Sequence, residues 1–323
     1  MRILFAGSPE IALPTLERLA AEHEVVAVLT NPDSVAGRGL AAARTPVAVT
    51  AERLGIPVLS FDHLGPEARA AVASYRPEIL VSFAYVRLFG PKFLALFPRG
   101  GLNIHPSLLP LHRGASPIPA AILARDAETG VSVQALAADL DSGDLFGVTR
   151  IPLTGRETTE SLTALAAAEG ADLVSAVLKA MEEGRAVSRP QEGAASYSGI
   201  ISKEAGLVDW GASVLDIDAK IRAYYPWPCA FTWFRGQRLS LLEALPYPGE
   251  AFPGSEAAVQ GEILGLDKAR GIMVKTLDGL LGLRRLQLQT KKALPYREFA
   301  NGVHELAGAV LGNPAVQESG LRP

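Results

Sequence analysis

Three side chains of this 323-residue chain could together move an acyl group onto an amine: Asn103, His105 and Asp141. Attack of an amine on a carbonyl builds negative charge on oxygen and leaves a proton to be removed from nitrogen. An amide such as Asn103 can donate a hydrogen bond to that oxygen, and a protonated His105 can add a charged one. A carboxylate such as Asp141 favours the imidazolium, orients the ring and, directly or through a water, accepts the amine proton. Neither a covalent intermediate nor a metal is needed. Asn103 and His105 are two apart in Asn103-Ile104-His105-Pro106-Ser107-Leu108-Leu109-Pro110, so an extended chain puts them on one face. Asp141 lies in the acidic turn Asp139-Leu140-Asp141-Ser142-Gly143-Asp144. Spacing alone leaves plainer readings open: a hydrogen-bonded loop histidine, a strand-end cap, and a turn whose Asp and Gly only satisfy backbone geometry.

The elements that must position these residues are legible as alternation. Short β-rich runs at 2–7, 25–30, 56–60, 78–85 and 102–105 read as strands. Helical patterns at 9–20, 46–54, 66–74, 91–97 and 116–125 separate them, with prolines near their starts, where a missing N–H costs nothing. Two more strands are expected at 129–137 and 145–153, then a long helix at 159–182 with a core-facing apolar stripe. Near-continuous apolar strands alternating with helices predict an α/β fold: a Rossmann-like, mostly parallel sheet with helices on both faces. Ligands in such sheets bind outside the carboxyl ends of the strands, and both polar clusters follow expected strands. Beyond a Gly-, Ser- and Pro-rich stretch, a helix near 214–224 and short strands at 230–234, 239–244, 261–266, 271–275 and 281–288 predict a small, OB-like β-barrel. The organisation expected is a catalytic domain over 1–184, a linker over 185–205, the barrel over 206–315 and a tail over 316–323.

Composition narrows the setting. Hydrophobic residues at 48% and charged residues at 20% are those of an ordinary globular protein. The first apolar run is too short for a signal-peptide core, and no stretch reads as the roughly 20 apolar residues of a membrane span. Cys229 is the only cysteine, which excludes an intramolecular disulfide and fits a cytoplasmic location. A net charge of −3 argues against non-specific coating of nucleic acid. From residue 205 onward, however, 13 Lys and Arg stand against 12 Asp and Glu, which permits a basic face there.

Residues 101–118, with Asn-Ile-His-Pro-Ser-Leu-Leu-Pro and then Arg113-Gly114-Ala115-Ser116-Pro117-Ile118, closely resemble the signature of the 10-formyltetrahydrofolate-dependent formyltransferases. Leu140-Asp141-Ser142-Gly143-Asp144 resembles that family's second signature, at the expected separation. The resemblance implies that Asn103, His105 and Asp141 are the catalytic trio and that 10-formyltetrahydrofolate is the co-substrate, with no metal. It implies a folate pocket formed with help from Ser107, Leu108, Leu109 and Pro110 and bordered by Tyr85, Val86 and Leu88. Pro32-Asp33-Ser34-Val35-Ala36-Gly37-Arg38-Gly39 resembles the loop with which the methionyl-tRNA branch of the family approaches the acceptor end of its tRNA. Arg38 and Arg44 are the contacts that loop implies, and Lys291 and Lys292 are those implied in the C-terminal domain.

Further likeness to that branch runs through Ile201-Ser202-Lys203-Glu204, Asp209-Trp210, Arg222-Ala223-Tyr224-Tyr225-Pro226-Trp227-Pro228 and Phe299-Ala300-Asn301-Gly302. Two segments depart from it. Leu40-Ala41-Ala42-Ala43 replaces the basic residues that usually follow the loop arginine, and Val86 and Gly90 stand where Gly and Pro are common. The expected reaction is formyl transfer to initiator methionyl-tRNA by a monomer without a membrane partner. A sugar-nucleotide formyltransferase is the nearest rival, but it typically lacks the 36–39 loop. A formate-releasing hydrolase, a non-catalytic binder and a nicotinamide enzyme are weaker rivals. The last is disfavoured because Gly7-Ser8-Pro9 opens no G-x-G-x-x-G turn.

Overall fold

The computed structural model describes residues 1–35, 42–303 and 305–312. They form two compact units, one of residues 1–118, 127–153 and 161–199, the other of 119–126, 154–160 and the chain from 200 onward. Segment 185–199, expected as linker, therefore packs within the first unit.

In the first unit seven strands lie in the order Leu145–Pro152, Glu128–Ala135, Gly101–His105, Ile79–Phe83, Arg2–Gly7, Glu24–Thr30 and Val58–Ser60. The last five are mutually parallel. Glu128–Ala135 alone runs the other way, antiparallel to both neighbours. The central strands are apolar on both faces because both faces are covered. Leu4, Leu29 and Leu80 pack with Val72, from the Pro66–Ser74 helix, and with Phe93 and Phe97. On the opposite face Gly170, in the Thr159–Glu182 helix, lies so close that a Cβ there would stand 3.0 Å from Ile104 Cγ2.

By length and composition the Thr159–Glu182 helix is apolar enough to cross a bilayer, which the sequence reading did not credit. Its Leu162, Ala166, Val174 and Leu178 stripe is instead buried, as core helices require.

The second unit is an antiparallel, barrel-like sheet in the order Ala230–Phe234, Gln237–Pro248, Gly279–Leu288, Gly271–Lys275 and Ile263–Asp267. Register shifts around Glu243 bend its long central pair. Two strands expected to be short, near 239–244 and 281–288, are the two longest. The Val214–Tyr224 helix adds Val214, Ile217 and Ile221 to the core, where Trp210 donates its indole N–H to Thr232 Oγ1 at 3.1 Å.

That helix carries an ion pair, Arg222 Nε to Asp218 Oδ2 at 2.7 Å, with side chains only 15% and 7% exposed. Arg222 also donates to the Glu157 carbonyl at 3.0 Å. Burial pushes the Asp218 carboxyl up, against the opposing pull of Arg222. Removing the guanidinium leaves a buried carboxylate without its counter-ion, at a cost of about 3 kcal/mol. Arg222→Met is expected to lose that much stability near neutral pH in urea unfolding. The loss should shrink in acid, where Asp218 is protonated in both states. A deficit under about 1 kcal/mol would mean the pair contributes little.

Candidate active site

Strand geometry assembles the trio on a sheet face. Asn103 lies opposite Gln134 and His105 opposite Ser132 in the antiparallel pairing of Gly101–His105 with Glu128–Ala135. Paired residues point to the same side, as do residues two apart, so these four polar side chains share one face. Because Glu128–Ala135 is reversed, its carboxyl end lies toward the start of Gly101–His105, not beside the other carboxyl ends. The acidic turn that follows therefore folds back to bring Asp141 over Asn103. Both clusters follow strand carboxyl ends, as expected, but at opposite edges of the sheet.

Asp141 occupies the left-handed region (φ 49°) and is held by three donors. Its Oδ1 accepts from Asn103 Nδ2 at 3.3 Å and Gln134 Nε2 at 2.9 Å, and its Oδ2 accepts from the Gly114 N–H at 2.9 Å. Gly114 has no room for a side chain: its φ is 107°, and a Cβ would stand 2.3 Å from the Ser198 carbonyl oxygen.

His105 is 4% exposed and lies between two acceptors. Nε2 is 2.9 Å from the His112 carbonyl oxygen, and Nδ1 is 3.6 Å from Asp141 Oδ2. A carbonyl oxygen only accepts, so Nε2 carries the hydrogen and the neutral ring keeps its lone pair on Nδ1, toward Asp141. Burial pushes the imidazole below its ordinary pKa and outweighs the raising effects of Asp141 and the His112 carbonyl. Asp141 favours the imidazolium, as expected, but burial costs the charged ring more than the carboxylate returns, so on balance its pKa falls.

A cavity of about 100 Å³ opens on this face, lined by Asn103, Gln134 and Asp141 from the site. Tyr85, Arg87, Leu88 and Phe89 form one wall, and Leu136, Ala138 and Leu140 lie on another. Tyr85 stacks on Phe89 with ring centroids 5.3 Å apart, and burial pushes its phenol up to about 12. Val86 and Leu88 are largely exposed.

The Ser107–Pro110 segment is largely buried. Ser107, Leu109 and Pro110 are buried, and neither they nor Leu108 lines this cavity. Ser132 Oγ accepts from the Leu109 N–H and donates to the Ser107 carbonyl, while Ser107 Oγ donates to the Leu111 carbonyl. These bonds fix the course of the loop that leads to the His112 carbonyl. His105 is likewise absent from the cavity lining and stands behind Asp141.

Ser132 and Gln134 were missed by the sequence reading. The available signal was their alternation with Val131 and Val133 in a strand that is otherwise apolar. Both are buried, at 0% and 1% exposure.

The formyl transferase family matches residues 1–178, and the formyl transferase C-terminal domain matches residues 200–304. The methionyl-tRNA formyltransferase of Treponema denticola is 42% identical over 311 residues, covering 94% of this chain and 97% of that protein. The chain belongs to the methionyl-tRNA formyltransferase family. The enzyme of that name from Thermus thermophilus is 40% identical, with 97% of this chain and 99% of its own length aligned. Among solved structures, HypX from Aquifex aeolicus, crystallised with tetrahydrofolic acid, shares the fold at a TM-score of 0.62 and 20% identity. That likeness covers 95% of this chain but only 48% of the longer HypX.

Of the RNA contacts expected in a methionyl-tRNA formyltransferase, Arg38 lies outside the described residues. Arg44 is paired with Glu52, Nη1 standing 2.5 Å from each carboxylate oxygen, and both residues line a larger cavity of about 580 Å³. None of the trio lines that cavity, so size does not mark the chemistry here. Lys291 and Lys292 are exposed on a turn of the second unit. Arg238 and Arg284 of the same unit lie over the Phe231 and Tyr296 rings at 3.8 and 5.0 Å.

Proposed function

We propose that this chain transfers the formyl group of 10-formyltetrahydrofolate to the free amine of initiator methionyl-tRNA, as a cytoplasmic monomer using no metal. The observation that carries this reading is the Asn103–Asp141 pair on a cavity wall, with His105 behind it, in a chain 42% identical to a methionyl-tRNA formyltransferase.

Each residue then has a distinct task. Asn103 uses one amide N–H on Asp141, and its second can meet the oxygen of the formyl group as charge builds there. As the amine nitrogen bonds to the formyl carbon it must shed a proton. The Asp141 carboxylate, on the cavity wall, receives it and passes it to Nδ1 of the neutral His105. The imidazolium so formed lies between Asp141 and the His112 carbonyl, with both N–H groups directed at acceptors. The bond from the formyl carbon to the donor nitrogen then breaks, and that nitrogen takes up the same proton, returned from the imidazolium through Asp141, which leaves both groups as they began. Tyr85, Leu88 and Leu140 give the donor an aromatic and apolar wall.

The test offers 10-formyltetrahydrofolate with charged initiator tRNA and, separately, with amino-sugar nucleotides. Formylation of the charged tRNA is expected. Transfer to the sugar alone would reverse the assignment of acceptor. Arg38 is proposed to grip the acceptor end, so Arg38→Ala should raise the KM for tRNA at least tenfold, the loss of one charge-assisted phosphate contact. Folate binding, followed by quenching of protein fluorescence, should not change. An unaltered KM would remove Arg38 from the recognition surface.

A further inference from the structure

Residues 189–198 cross the active-site turn and are fastened at both ends. At one end Arg189 and Leu145 exchange backbone hydrogen bonds of 3.0 and 2.7 Å. At the other, Tyr197–Ser198 pairs in parallel with Arg113–Gly114. Between these points two side chains turn inward. The Gln191 amide nitrogen donates to the carbonyl oxygens of Asp141 and Gly143 at 2.9 and 2.8 Å and approaches Gln134 Oε1 at 3.3 Å. Its oxygen accepts from Arg113 Nη2 at 2.7 Å and Nε at 3.2 Å. Ser196 Oγ accepts from the His112 N–H at 2.8 Å.

These anchors fall on the two residues that flank the His105 ring, Asp141 on Nδ1 and His112 on Nε2. Both flanking residues have left-handed backbones, with φ of 49° and 55°. Such conformations are adopted by non-glycine residues only where their surroundings impose them. We propose that residues 189–198 are a positioning strap for the proposed transfer reaction, in which Gln191 holds the Asp141 turn and Ser196 holds the His112 carbonyl against the catalytic histidine. Neither residue lines the cavity, so both act through Asp141 and His112 rather than by touching substrate. The direction of the Gln191 bonds matters: the amide must donate to two carbonyl oxygens at once, which no carboxylate can do.

That requirement supplies the test. Gln191→Glu keeps the length of the side chain and strengthens its pairing with Arg113, but sets an oxygen against the Asp141 and Gly143 carbonyls. If Gln191 positions Asp141, both Gln191→Glu and Gln191→Ala should lose roughly a hundredfold in kcat, the scale of a misplaced catalytic group. The KM values for donor and tRNA should stay within about threefold, since both binding surfaces are intact. If Gln191 only tethers Arg113, Gln191→Glu should match the unmodified chain, and that result would overturn the proposal.

A second readout needs no turnover, so it stands even if the proposed reaction is wrong. The charged and titratable groups facing His105 are Asp141, which raises its pKa, and His112 and Arg113, which lower it. Loosening Asp141 should move the His105 midpoint, followed by NMR in the unliganded protein, further down in both Gln191 variants. Ser196→Ala, a smaller change at the other anchor, should lower kcat without altering either KM. An unmoved His105 midpoint in all three folded variants would also overturn the strap's role.

Discussion

Asp141→Asn is expected to lower turnover roughly a thousandfold, the range of a lost proton-transfer group, while the chain still folds. The two outcomes separate because the substitution leaves most of the local bonding in place. The amide side chain would keep one oxygen, which can accept from Asn103 and Gln134 as Oδ1 does now. Its amino group would then face the Gly114 N–H that Oδ2 accepts from, leaving one buried donor unmet at a cost of about 1–3 kcal/mol. What disappears is the charge. Without it only the His112 carbonyl offsets the desolvation of a protonated His105, and the carboxylate that links the cavity to the histidine is gone. The measurement is single-turnover formylation beside thermal unfolding. Turnover within tenfold of the unmodified chain would remove Asp141 from the proton path and return the whole task to Asn103.

The same arrangement sets a pH dependence. In the proposed reaction His105 works from its neutral form, and burial has pushed its pKa below the ordinary 6.5. The acid limb of kcat should accordingly fall below pH 6.5, with activity flat above it as far as this group is concerned. The linkage has the same sign. A histidine whose folded pKa is depressed contributes stability above its ordinary value, and that contribution is lost as pH falls toward the depressed one. Activity that instead falls as pH rises through the histidine's midpoint would mean that the protonated ring is the active form, and an acid limb centred above 6.5 would mean that burial does not depress this ring.

The sequence revealed the strands and the trio through period and chemistry, but it did not reveal direction. The Val131-Ser132-Val133-Gln134 alternation in Glu128–Ala135 is commoner in antiparallel strands, but four residues are too few to fix a direction. That one reversal explains why Asp141 reaches the trio by folding back rather than from a shared edge. The Ser107–Pro110 loop is expected at the folate pocket through the family resemblance alone, since its apolar sequence carries no such sign. Its burial depends on Ser132, a partner 23 residues after Leu109 that local pattern cannot supply. The strap is hidden for a related reason. Its Gly, Ser and Pro composition reads as a linker, and its bonds to Asp141, Gly143 and His112 go to backbone groups, which carry no sequence signal.

Gly143→Ala is the second large effect, and it tests the fold-back directly. A Cβ on Gly143 would stand 1.9 Å from the Ala135 carbonyl oxygen and 2.8 Å from its carbon, both main-chain atoms of a buried strand. No rotamer can relieve that contact, so the turn must lift. Lifting it breaks the bond from the Gly143 N–H to Gln134 Oε1, 3.2 Å long, and strains the one from the Ala135 N–H to the Asp144 carbonyl at 2.8 Å. Asp141, two residues back, moves with the turn and away from Asn103 and His105. The expected result is a loss of about 2–3 kcal/mol, the scale of forced overpacking. It should be joined by a fall in kcat of roughly a hundredfold, from misplacing the carboxylate by about 1 Å. Ser142→Ala is the control. It adds no atoms beside that backbone, and it removes a hydroxyl whose bond, to the Asp139 carbonyl at 3.0 Å, is exposed. If Gly143→Ala behaves like this control in both stability and turnover, the turn is not pressed against the strand, and the close approach of Asp141 to Asn103 must arise in another way.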